Sequence, residues 1–417
     1  MDRRLDRRSL MLAASVGAAL SPGVPVARKA TAVAQDAIAP VPADRLDAIR
    51  SAITSAMEQD GTPGAAVYLS LPGYEPFAEA FGIADKSTGE PVTVDMHFRI
   101  GSITKTFVAT VVLQMVDEGL LSLDDTIDGW DVQVPNAGDI TIGHLLGMTS
   151  GLRNYTETAE FAAAMAADPT LRIEPEALIA MATGEPLSEP GESFHYNNTN
   201  YIILGLIAEQ VSGQPLESLL RERVFDAVGM ANTGFDADAS LPEPFARGYV
   251  DTEPAPPGAE QNTAATPVAT PVAPATVPEN HPLDADGHYD ATDFDPSWAW
   301  AAGGAWSTAG DLALWAPALV EGAMLSPDLA ASRMEWMPAD PARPDAGGYG
   351  LGIATQGGLV GHTGAVPGYS SLAGVGPDVA LTIVVLTNLY RNPGLGMTPD
   401  MRIALAAIGA GLPLLWS

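Results

Sequence analysis

The spacing of apolar and polar residues predicts that the fold begins with one helix and a β-hairpin. Residues 44–59 carry apolar side chains at three- and four-residue intervals, which is the period of an amphipathic helix. These side chains are Leu46, Ile49, Ile53, Ala56 and Met57. Residues 65–71 and 77–83 are short apolar runs on either side of a Pro-Gly pair, a pattern typical of two strands joined by a turn.

Helical patterns dominate the next part of the chain, and strand patterns return after residue 350. Between residues 106 and about 236, helical spacing or a mixed apolar face occurs at 145–146, 161–166, 174–182 and 201–211. Four short apolar runs separated by Gly and Pro turns follow at 351–354, 359–362, 370–375 and 380–386. Strands joined by tight turns are antiparallel neighbours. The apolar stretch 403–416 is short and interrupted by Gly and Pro, which favours a helix packed on the core.

These elements predict an α+β fold. An antiparallel β-sheet is flanked by N- and C-terminal helices on the same face, and a mainly helical domain is inserted between its strands. We expect residues 43–105 and 297–417 to form the sheet domain and residues 106–250 the helical domain. Residues 251–296 are acidic and rich in Pro, Ala and Thr, so we expect a disordered or polyproline-like surface insertion. A cell-wall-associating or glycosylated segment is the alternative interpretation.

The first 34 residues are typical of an export signal. Four arginines, at positions 3, 4, 7 and 8, precede an apolar run from Leu10 to Leu20 that is too short to span a membrane. Residues 32–34, Ala-Val-Ala, suit a cleavage site, and residues 35–42 would be a linker. The Arg-Arg-Ser-Leu-Met sequence at 7–11 resembles a twin-arginine signal. We therefore expect the protein to be exported to the periplasm, the cell envelope or the medium.

Composition excludes several classes of function. The chain has 20 basic and 51 acidic residues and a net charge of −31, which disfavours nucleic acid and anionic membranes as partners. It has no cysteine, so disulfides, thiolate metal sites and a cysteine nucleophile are ruled out. The histidines show no zinc spacing, and we expect neither a metal nor an organic cofactor. They are His97, His144, His195, His281, His288 and His362. The oligomeric state stays open.

The first candidate for chemistry is the pair Ser102 and Lys105. Residues three apart lie on the same face of a helix, so the Lys105 amine can sit beside the Ser102 hydroxyl. The start of a helix also supplies free N–H groups for a developing negative charge. Lysine is rare, with only three in the chain. The alternative is a Ser cap followed by a solvent-exposed Lys, which the helix dipole disfavours.

Two further motifs follow in the chain. Tyr196 and Asn198 lie in a loop before a predicted helix, where a phenol can move a proton and an amide can bind a carbonyl. An Asn-rich helix cap is the alternative, and a second Tyr-x-Asn at residues 390–392 shows how common the pattern is. His362, Thr363 and Gly364 end an apolar strand and offer a ring nitrogen, a hydroxyl and close backbone approach.

The motifs Ser-x-x-Lys, Tyr-x-Asn and His-Thr-Gly, in this order, resemble those of the penicillin-recognising serine enzymes. The surrounding segments 98–107, 144–152, 190–198 and 361–369 are also similar. The resemblance is closest to the branch that holds class C β-lactamases, DD-carboxypeptidases with His-Thr-Gly and family VIII esterases. It covers residues 43–250 and 297–390.

The resemblance implies a role for each motif residue. Ser102 would be the acylated nucleophile, Lys105 would share protons with it and with Tyr196, and Tyr196 would be the general base of acylation and help protonate the leaving group. Asn198 would bind the substrate amide and hold Lys105. The strand residues His362, Thr363 and Gly364 would bind substrate, with His362 where β-lactamases have lysine and Thr363 at the substrate carboxylate or carbonyl. The N–H groups of Ser102 and Ala365 would form the oxyanion hole.

Two departures from the family pattern bear on the substrate, which would be a small molecule or a peptidoglycan peptide. Ala365 lacks the hydroxyl that carboxylate-binding members often have there, and no Arg occurs between Arg343 and Arg391. A weaker carboxylate site favours esters or small amides. We rank a D-alanyl-D-alanine carboxypeptidase-like activity first, a carboxylesterase second and a β-lactamase third, because position 362 is His. The alternative from another class is a non-hydrolytic penicillin-binding or peptidoglycan-sensing module.

Overall fold

The computed structural model describes residues 38–235, 240–252, 281–344, 347–391 and 397–411. The predicted export signal, residues 35–37 of the predicted linker and residues 253–280 of the predicted insertion lie outside the described residues. None of the described helices is both long and apolar enough to cross a membrane.

The helices of the described residues are concentrated in the middle of the chain and at its two ends. They are α1 Ala43–Asp60, α2 Thr104–Asp117, α3 Ile142–Leu146, α4 Ala159–Ala167, α5 Pro175–Met181, α6 Asn198–Ser212, α7 Leu216–Leu220, α8 Asp226–Val228, α9 Trp300–Gly303, α10 Ala309–Val320, α11 Pro327–Arg333 and α12 Pro399–Gly411. A π-helical segment, Arg221–Phe225, joins α7 to α8. The long helical stretch expected after residue 106 is therefore present.

The strands fall into two groups, one near each end of the chain. They are β1 Gly64–Ser70, β2 Phe77–Asp85, β3 Glu90–Pro91, β4 Phe98–Arg99, β5 Tyr249–Asp251, β6 His288–Asp290, β7 Trp306–Ser307, β8 Met337–Pro338, β9 Gly347–Tyr349, β10 Ala354–Gln356, β11 Leu359–Val366, β12 Tyr369–Gly376, β13 Leu381–Thr387 and β14 Leu389–Tyr390. Nine of these form one antiparallel sheet in the order β3-β2-β1-β13-β12-β11-β10-β9-β8. The expected antiparallel sheet is confirmed.

The centre of the sheet joins the two ends of the chain. Strand β13 pairs with β1 on one side and with β12 on the other, and all seven of its residues are buried. Five of its seven residues are Leu, Ile or Val and the other two are Thr, a composition expected for a strand covered on both faces. Ile383 and Val385 pack with α1 and α12 on one face, whereas Val384 and Leu386 face the larger core on the other. The two terminal helices thus share a face, as predicted.

One predicted strand is wrong in its position. Residues 351–353 form a turn, and the strands on either side of it are β9 and β10. Gly352 has φ +74°, and an added Cβ there would lie 2.2 Å from the Ala109 side chain, so this turn is pressed against α2. The apolar residues at this point pack as a turn rather than as a strand because Gly350 and Gly352 permit the turn.

The predicted insertion is also partly ordered. Strand β6 pairs antiparallel with β5, and β5 pairs parallel with β14. Lys86 forms ion pairs with Asp284 and Asp286 and lies 3.3 Å from Nδ1 of His288. Residues 281–296 therefore belong to the folded body. The division into a sheet domain and a helical domain stays a prediction, since one continuous core contains apolar residues of both parts.

Candidate active site

Ser102 lies in a tight turn between a strand and a helix. The turn is a 3₁₀ segment, Gly101–Ile103, that follows β4 and leads into α2. The Thr104 hydroxyl donates to the Gly101 carbonyl at 2.7 Å and accepts from the N–H of Ala305 at 3.1 Å, which fixes the turn. Ser102 itself is partly exposed. The local sequence thus presents a hydroxyl at the start of a buried helix.

The turn lies directly against strand β11. Gly101 has φ +49°, and a Cβ added to it would lie 2.6 Å from the backbone nitrogen of Ala365. A Cβ added to Gly364 would lie 1.9 Å from the Ile100 carbonyl oxygen. Only glycine fits at these two contacts. The turn that carries Ser102 and the strand segment that carries Ala365 are therefore adjacent.

Lys105 is fully buried and meets three oxygen atoms. Its Nζ lies 3.0 Å from Ser102 Oγ, 2.7 Å from Asn198 Oδ1 and 2.6 Å from the carbonyl oxygen of Ala302. The three acceptors match the three donors of an ammonium group. The predicted pairing of Lys105 with Ser102 and Asn198 is seen in the geometry, and Ala302 is a partner that the sequence did not indicate.

Burial also changes the chemistry of this amine. It lowers the pKa of Lys105 well below its usual value, because no carboxylate offsets the loss of solvent. The amide oxygen of Asn198 and the carbonyl of Ala302 can only accept hydrogen bonds, whereas a serine hydroxyl can also donate. When Lys105 loses a proton, two N–H groups can stay on the obligate acceptors while the lone pair points to the Ser102 hydroxyl. The arrangement can therefore remove the serine proton.

Asn198 and Tyr196 are held by the start of α6. Asn197 is the N-cap residue and accepts from the N–H of Thr199 at 2.8 Å, so the capping interpretation of this loop also holds. Asn198 is the first residue of the helix and faces Lys105. The Lys105 Nζ lies 4.9 Å from the centre of the Tyr196 ring. The loop therefore caps a helix and contributes two side chains to the site.

The Tyr196 hydroxyl is buried and has no hydrogen-bond partner of normal geometry among the described residues. Burial raises the pKa of Tyr196 well above its usual value, and the nearby Ser102 hydroxyl opposes this only in part. A phenolate is disfavoured under these conditions. Tyr196 is suited to pass on a proton as a neutral phenol, next to Ser102.

Sequence reasoning missed two residues that orient Asn198. The Asn198 Nδ2 donates to the Thr156 hydroxyl at 3.2 Å, and the Asn198 backbone N–H donates to Asn154 Oδ1 at 3.3 Å. The Thr156 hydroxyl in turn donates to Asn154 Oδ1 at 3.0 Å. These contacts fix which way the amide points, with its oxygen toward Lys105. A polar pair just after the 144–152 segment was the available signal, but such pairs are common at helix caps.

The residues His362, Thr363, Gly364 and Ala365 follow one another along β11. The His362 ring is buried, 6.3 Å from the Tyr196 ring between centres. Burial, and to a lesser extent the charge of Lys105, lowers the pKa of His362 to about 3. Thr363 and Ala365 are partly exposed, and the Thr363 hydroxyl makes no hydrogen bond with another described residue. The strand thus joins the site through His362 and through the backbone beside Gly101.

Within the described ranges, no group of His, Asp and Glu side chains is arranged to hold a metal ion. Beside the Ser102 hydroxyl, the site offers the amine of Lys105, the amide of Asn198, the phenol of Tyr196 and the imidazole of His362. Such groups suit proton transfer and hydrogen bonding around a serine nucleophile.

Comparisons with known proteins agree on one family. The Beta-lactamase family profile matches residues 49–408. Among solved structures, D-amino acid amidase from Ochrobactrum anthropi SV3, complexed with L-phenylalanine amide, is 25% identical with a TM-score of 0.75. That alignment covers 90% of this chain and 100% of the amidase.

Two curated relatives match over shorter stretches. Penicillin-binding protein 4* of Bacillus subtilis (strain 168) is 31% identical over 180 residues, or 42% of this chain and 39% of the relative. Esterase EstB of Burkholderia gladioli is 31% identical over 226 residues, or 51% of this chain and 56% of the relative. The chain spans about half the length of these relatives.

Proposed function

Because the chain belongs to the Beta-lactamase family, we propose that it is an exported serine hydrolase that works through an acyl-enzyme on Ser102. The observation that supports this most directly is the 3.0 Å contact between Lys105 Nζ and Ser102 Oγ. A serine hydroxyl beside a buried amine of lowered pKa is an activated nucleophile. Export rests on residues 1–34 alone.

The proposed acylation moves one proton out of the nucleophile. Lys105 takes the Ser102 proton as Oγ bonds to the substrate carbonyl carbon. The carbonyl oxygen then carries a negative charge that the N–H groups of Ser102 and Ala365 stabilise. One such donor typically contributes about 3–4 kcal/mol in the transition state. Asn198 holds Lys105 and orients the substrate amide.

Tyr196 completes the proton path in this proposal. It donates its phenol proton to the leaving nitrogen or oxygen and recovers a proton from Lys105. Water then attacks the acyl-enzyme, and the same groups return the proton to Ser102. The family resemblance implied that Tyr196 is the general base. Its raised pKa makes Lys105 the better acceptor and leaves Tyr196 as a relay.

We propose an amide bond in a D-amino-acid peptide as the preferred substrate. The first-ranked activity is therefore a D-alanyl-D-alanine carboxypeptidase-like peptidase. The likeness to D-amino acid amidase and to penicillin-binding protein 4* supports this choice. Esterase EstB supports an esterase as the second candidate. A β-lactamase ranks third, because His362 stands where such enzymes of this branch have lysine.

The alternative from another class is a penicillin-binding or peptidoglycan-sensing module that acylates but does not turn over. The test is intact-mass analysis together with turnover. The substrates are a D-Ala-D-Ala peptide, a nitrocefin-type lactam and a p-nitrophenyl ester. Turnover with a short-lived adduct on Ser102 supports the hydrolase, and a lasting adduct without turnover supports the sensor. Ser102→Ala should abolish the adduct and the turnover. Ser87→Ala, at an exposed serine, should leave the adduct and the turnover unchanged. Turnover that survives in Ser102→Ala would overturn the proposal.

A further inference from the structure

Both ring nitrogens of His362 are occupied. Nδ1 lies 2.5 Å from the backbone oxygen of Thr363, and Nε2 lies 3.1 Å from the hydroxyl oxygen of Tyr349. A carbonyl oxygen can only accept, so Nδ1 must carry the proton and donate it. The remaining nitrogen, Nε2, is then free to accept from a hydroxyl. This pattern fits the neutral imidazole with its proton on Nδ1.

Tyr349 is fixed in the position of a donor. It is 1% exposed on β9 and meets the His362 ring edge-on, with 5.7 Å between ring centres and 89° between planes. It also meets the Tyr196 ring edge-on at 6.0 Å. Burial, together with the neighbouring phenols of Tyr201 and Tyr196, raises the pKa of Tyr349 well above its usual value. Its hydroxyl therefore stays protonated and can donate to Nε2, although Tyr201 is a second hydrogen-bond neighbour. The contact therefore opposes protonation of His362.

Among the groups around His362, the Thr363 carbonyl favours a cation, but burial and the nearby Lys105 outweigh it. The titratable groups that face its ring are the phenols of Tyr349 and Tyr196 and the amine of Lys105. Its cross-strand neighbour on β12 is Ala373, which cannot titrate. No carboxylate contributes to the lowered pKa of His362. The surroundings and the hydrogen bonds thus agree on the neutral ring.

We infer that Tyr349 is a specificity-determining, positioning residue that keeps His362 neutral, so that the site prefers acyl donors whose leaving group is uncharged. Strand β11 then presents no cation where a substrate carboxylate would bind, and the sequence has no Arg or Lys between Arg343 and Arg391 to replace it. Amide- or ester-capped D-peptides are the expected class. This inference rests on the proposed Ser102 hydrolase, and within it the inference moves the preferred substrate from free-acid D-Ala-D-Ala peptides to D-peptide amides and esters.

The first arm of the test does not depend on activity. Imidazole ¹⁵N shifts of His362, assigned by comparison with His362→Asn, should show the neutral Nδ1–H form from pH 5 to pH 9 in the wild-type protein. In Tyr349→Phe the ring should begin to titrate within this range or lose its fixed tautomer. Tyr68→Phe, at a partly buried tyrosine of β1, is the matched control and should leave the shifts unchanged. An imidazolium signal in the wild type at pH 7 would overturn the inference.

The second arm measures specificity with substrates that differ by one charge. One pair is N-acyl-D-Ala-D-Ala as the free acid and as its C-terminal amide. The other pair is 4-nitrophenyl acetate and 3-carboxy-4-nitrophenyl acetate. We expect kcat/KM at least about tenfold higher for the uncharged member of each pair that turns over. In Tyr349→Phe the ratio of kcat/KM for the uncharged substrate to kcat/KM for the charged substrate should fall at pH 6 but not at pH 9. A general loss of structure would lower kcat/KM for both substrates together.

A gain-of-charge variant separates the two proposals. His362→Lys should shift the ratio toward the charged substrates by about tenfold. If the enzyme is acylated at Ser102 but prefers charged leaving groups, this inference fails while the proposed function stands. If Ser102→Ala keeps its turnover, the proposed function fails instead.

Discussion

The amine of Lys105 lies 2.7 Å from Asn198 Oδ1 and 3.0 Å from Ser102 Oγ, so one buried side chain joins two separate segments of the site. Lys105→Met removes the amine and keeps most of the volume. We expect acylation by a p-nitrophenyl ester to slow by about 10³-fold, since the nucleophile loses its base. The measurement is stopped-flow release of p-nitrophenol. Lys86→Met is the control, because Lys86 binds the β6 segment instead, and an equal loss there would contradict the assignment.

The pH dependence of acylation should report the lowered pKa of Lys105. Burial lowers the pKa of Lys105, so its neutral form is present at a lower pH than for an exposed lysine. For a neutral ester, kcat/KM should rise with pH and level off clearly below the usual lysine value of about 10.4. Tyr196→Phe should lower the rate while keeping the midpoint of this rise. A midpoint that moves or vanishes in Tyr196→Phe would assign the titration to Tyr196.

Thr156 should matter for rate through Asn198. Thr156→Val removes the hydroxyl that accepts from Asn198 Nδ2, so the amide is free to rotate away from Lys105. We expect kcat to fall by roughly tenfold with little change in KM, and stability to fall by about 1–2 kcal/mol. Thr158→Val loses the N-cap of α4 and should cost a similar amount of stability. It should keep its activity, so equal rate losses in both variants would refute a positioning role.

Asp400 should make the fold more stable at low pH than at high pH. Its carboxyl is buried at the start of α12, and burial raises its pKa from 3.8 to about 7. The hydroxyls of Thr398 and Ser370 oppose this shift, although the carboxyl oxygens make no hydrogen bond of normal geometry within the described residues. Between these pH values the folded protein holds a proton that the unfolded chain has released. The Asp400 contribution to the free energy of unfolding therefore decreases as pH rises to about 7.

Asp400→Asn removes this dependence. At pH 8 the variant should exceed the wild type by up to about 4 kcal/mol, and near pH 4 the difference should be small. Urea unfolding at pH 4.5, 6 and 8 measures it, with Asp378→Asn at an exposed position as the control. A difference that does not grow with pH would show that Asp400 is ionised at no cost.

The contact between the serine turn and β11 should tolerate no added carbon. Gly364→Ala places a Cβ 1.9 Å from the Ile100 carbonyl oxygen, so the strand must move away from the turn. We expect acylation to fall by at least about 10²-fold, because the Ala365 N–H leaves its position. Gly374→Ala on β12, where the nearest atom is 3.4 Å away, should keep its rate and is the matched control. The measurement is the rate of acylation of each purified variant.

Much of the fold followed from the sequence because its pattern is regular there. The apolar spacing of residues 44–59 predicted α1, and the apolar run at residues 380–386 predicted the strand β13. The turn at residues 351–353 was missed, because Gly352 is held by contacts with α2 that no local pattern encodes. Residues 281–296 were assigned to a disordered insertion by their composition. Their order depends on Lys86 and β5, which are distant in sequence.

The candidate site, like the fold, could be predicted from the sequence only in part. Ser102 and Lys105 are three residues apart, so helix geometry alone predicted their contact. The partners Ala302, Thr156 and Tyr349 come from other segments, and no specific sequence pattern identifies them. The inferred neutral state of His362 also depends on burial, which a sequence motif does not give. Tertiary packing therefore decides the electrostatics of a site whose nucleophile is predictable locally.

The hydrogen bond from the Ser371 hydroxyl to the Ile100 carbonyl spans 271 residues, and it lies behind the turn that presents the nucleophile. A ribosome that adds about 5–20 residues per second therefore needs roughly 14–54 s to go from Ile100 to Ser371. Until then Ser102 has no strand β11 beside it, and the growing chain has no assembled oxyanion hole. The topology thus delays assembly of the candidate site until the chain has grown by the 271 residues that separate Ile100 from Ser371.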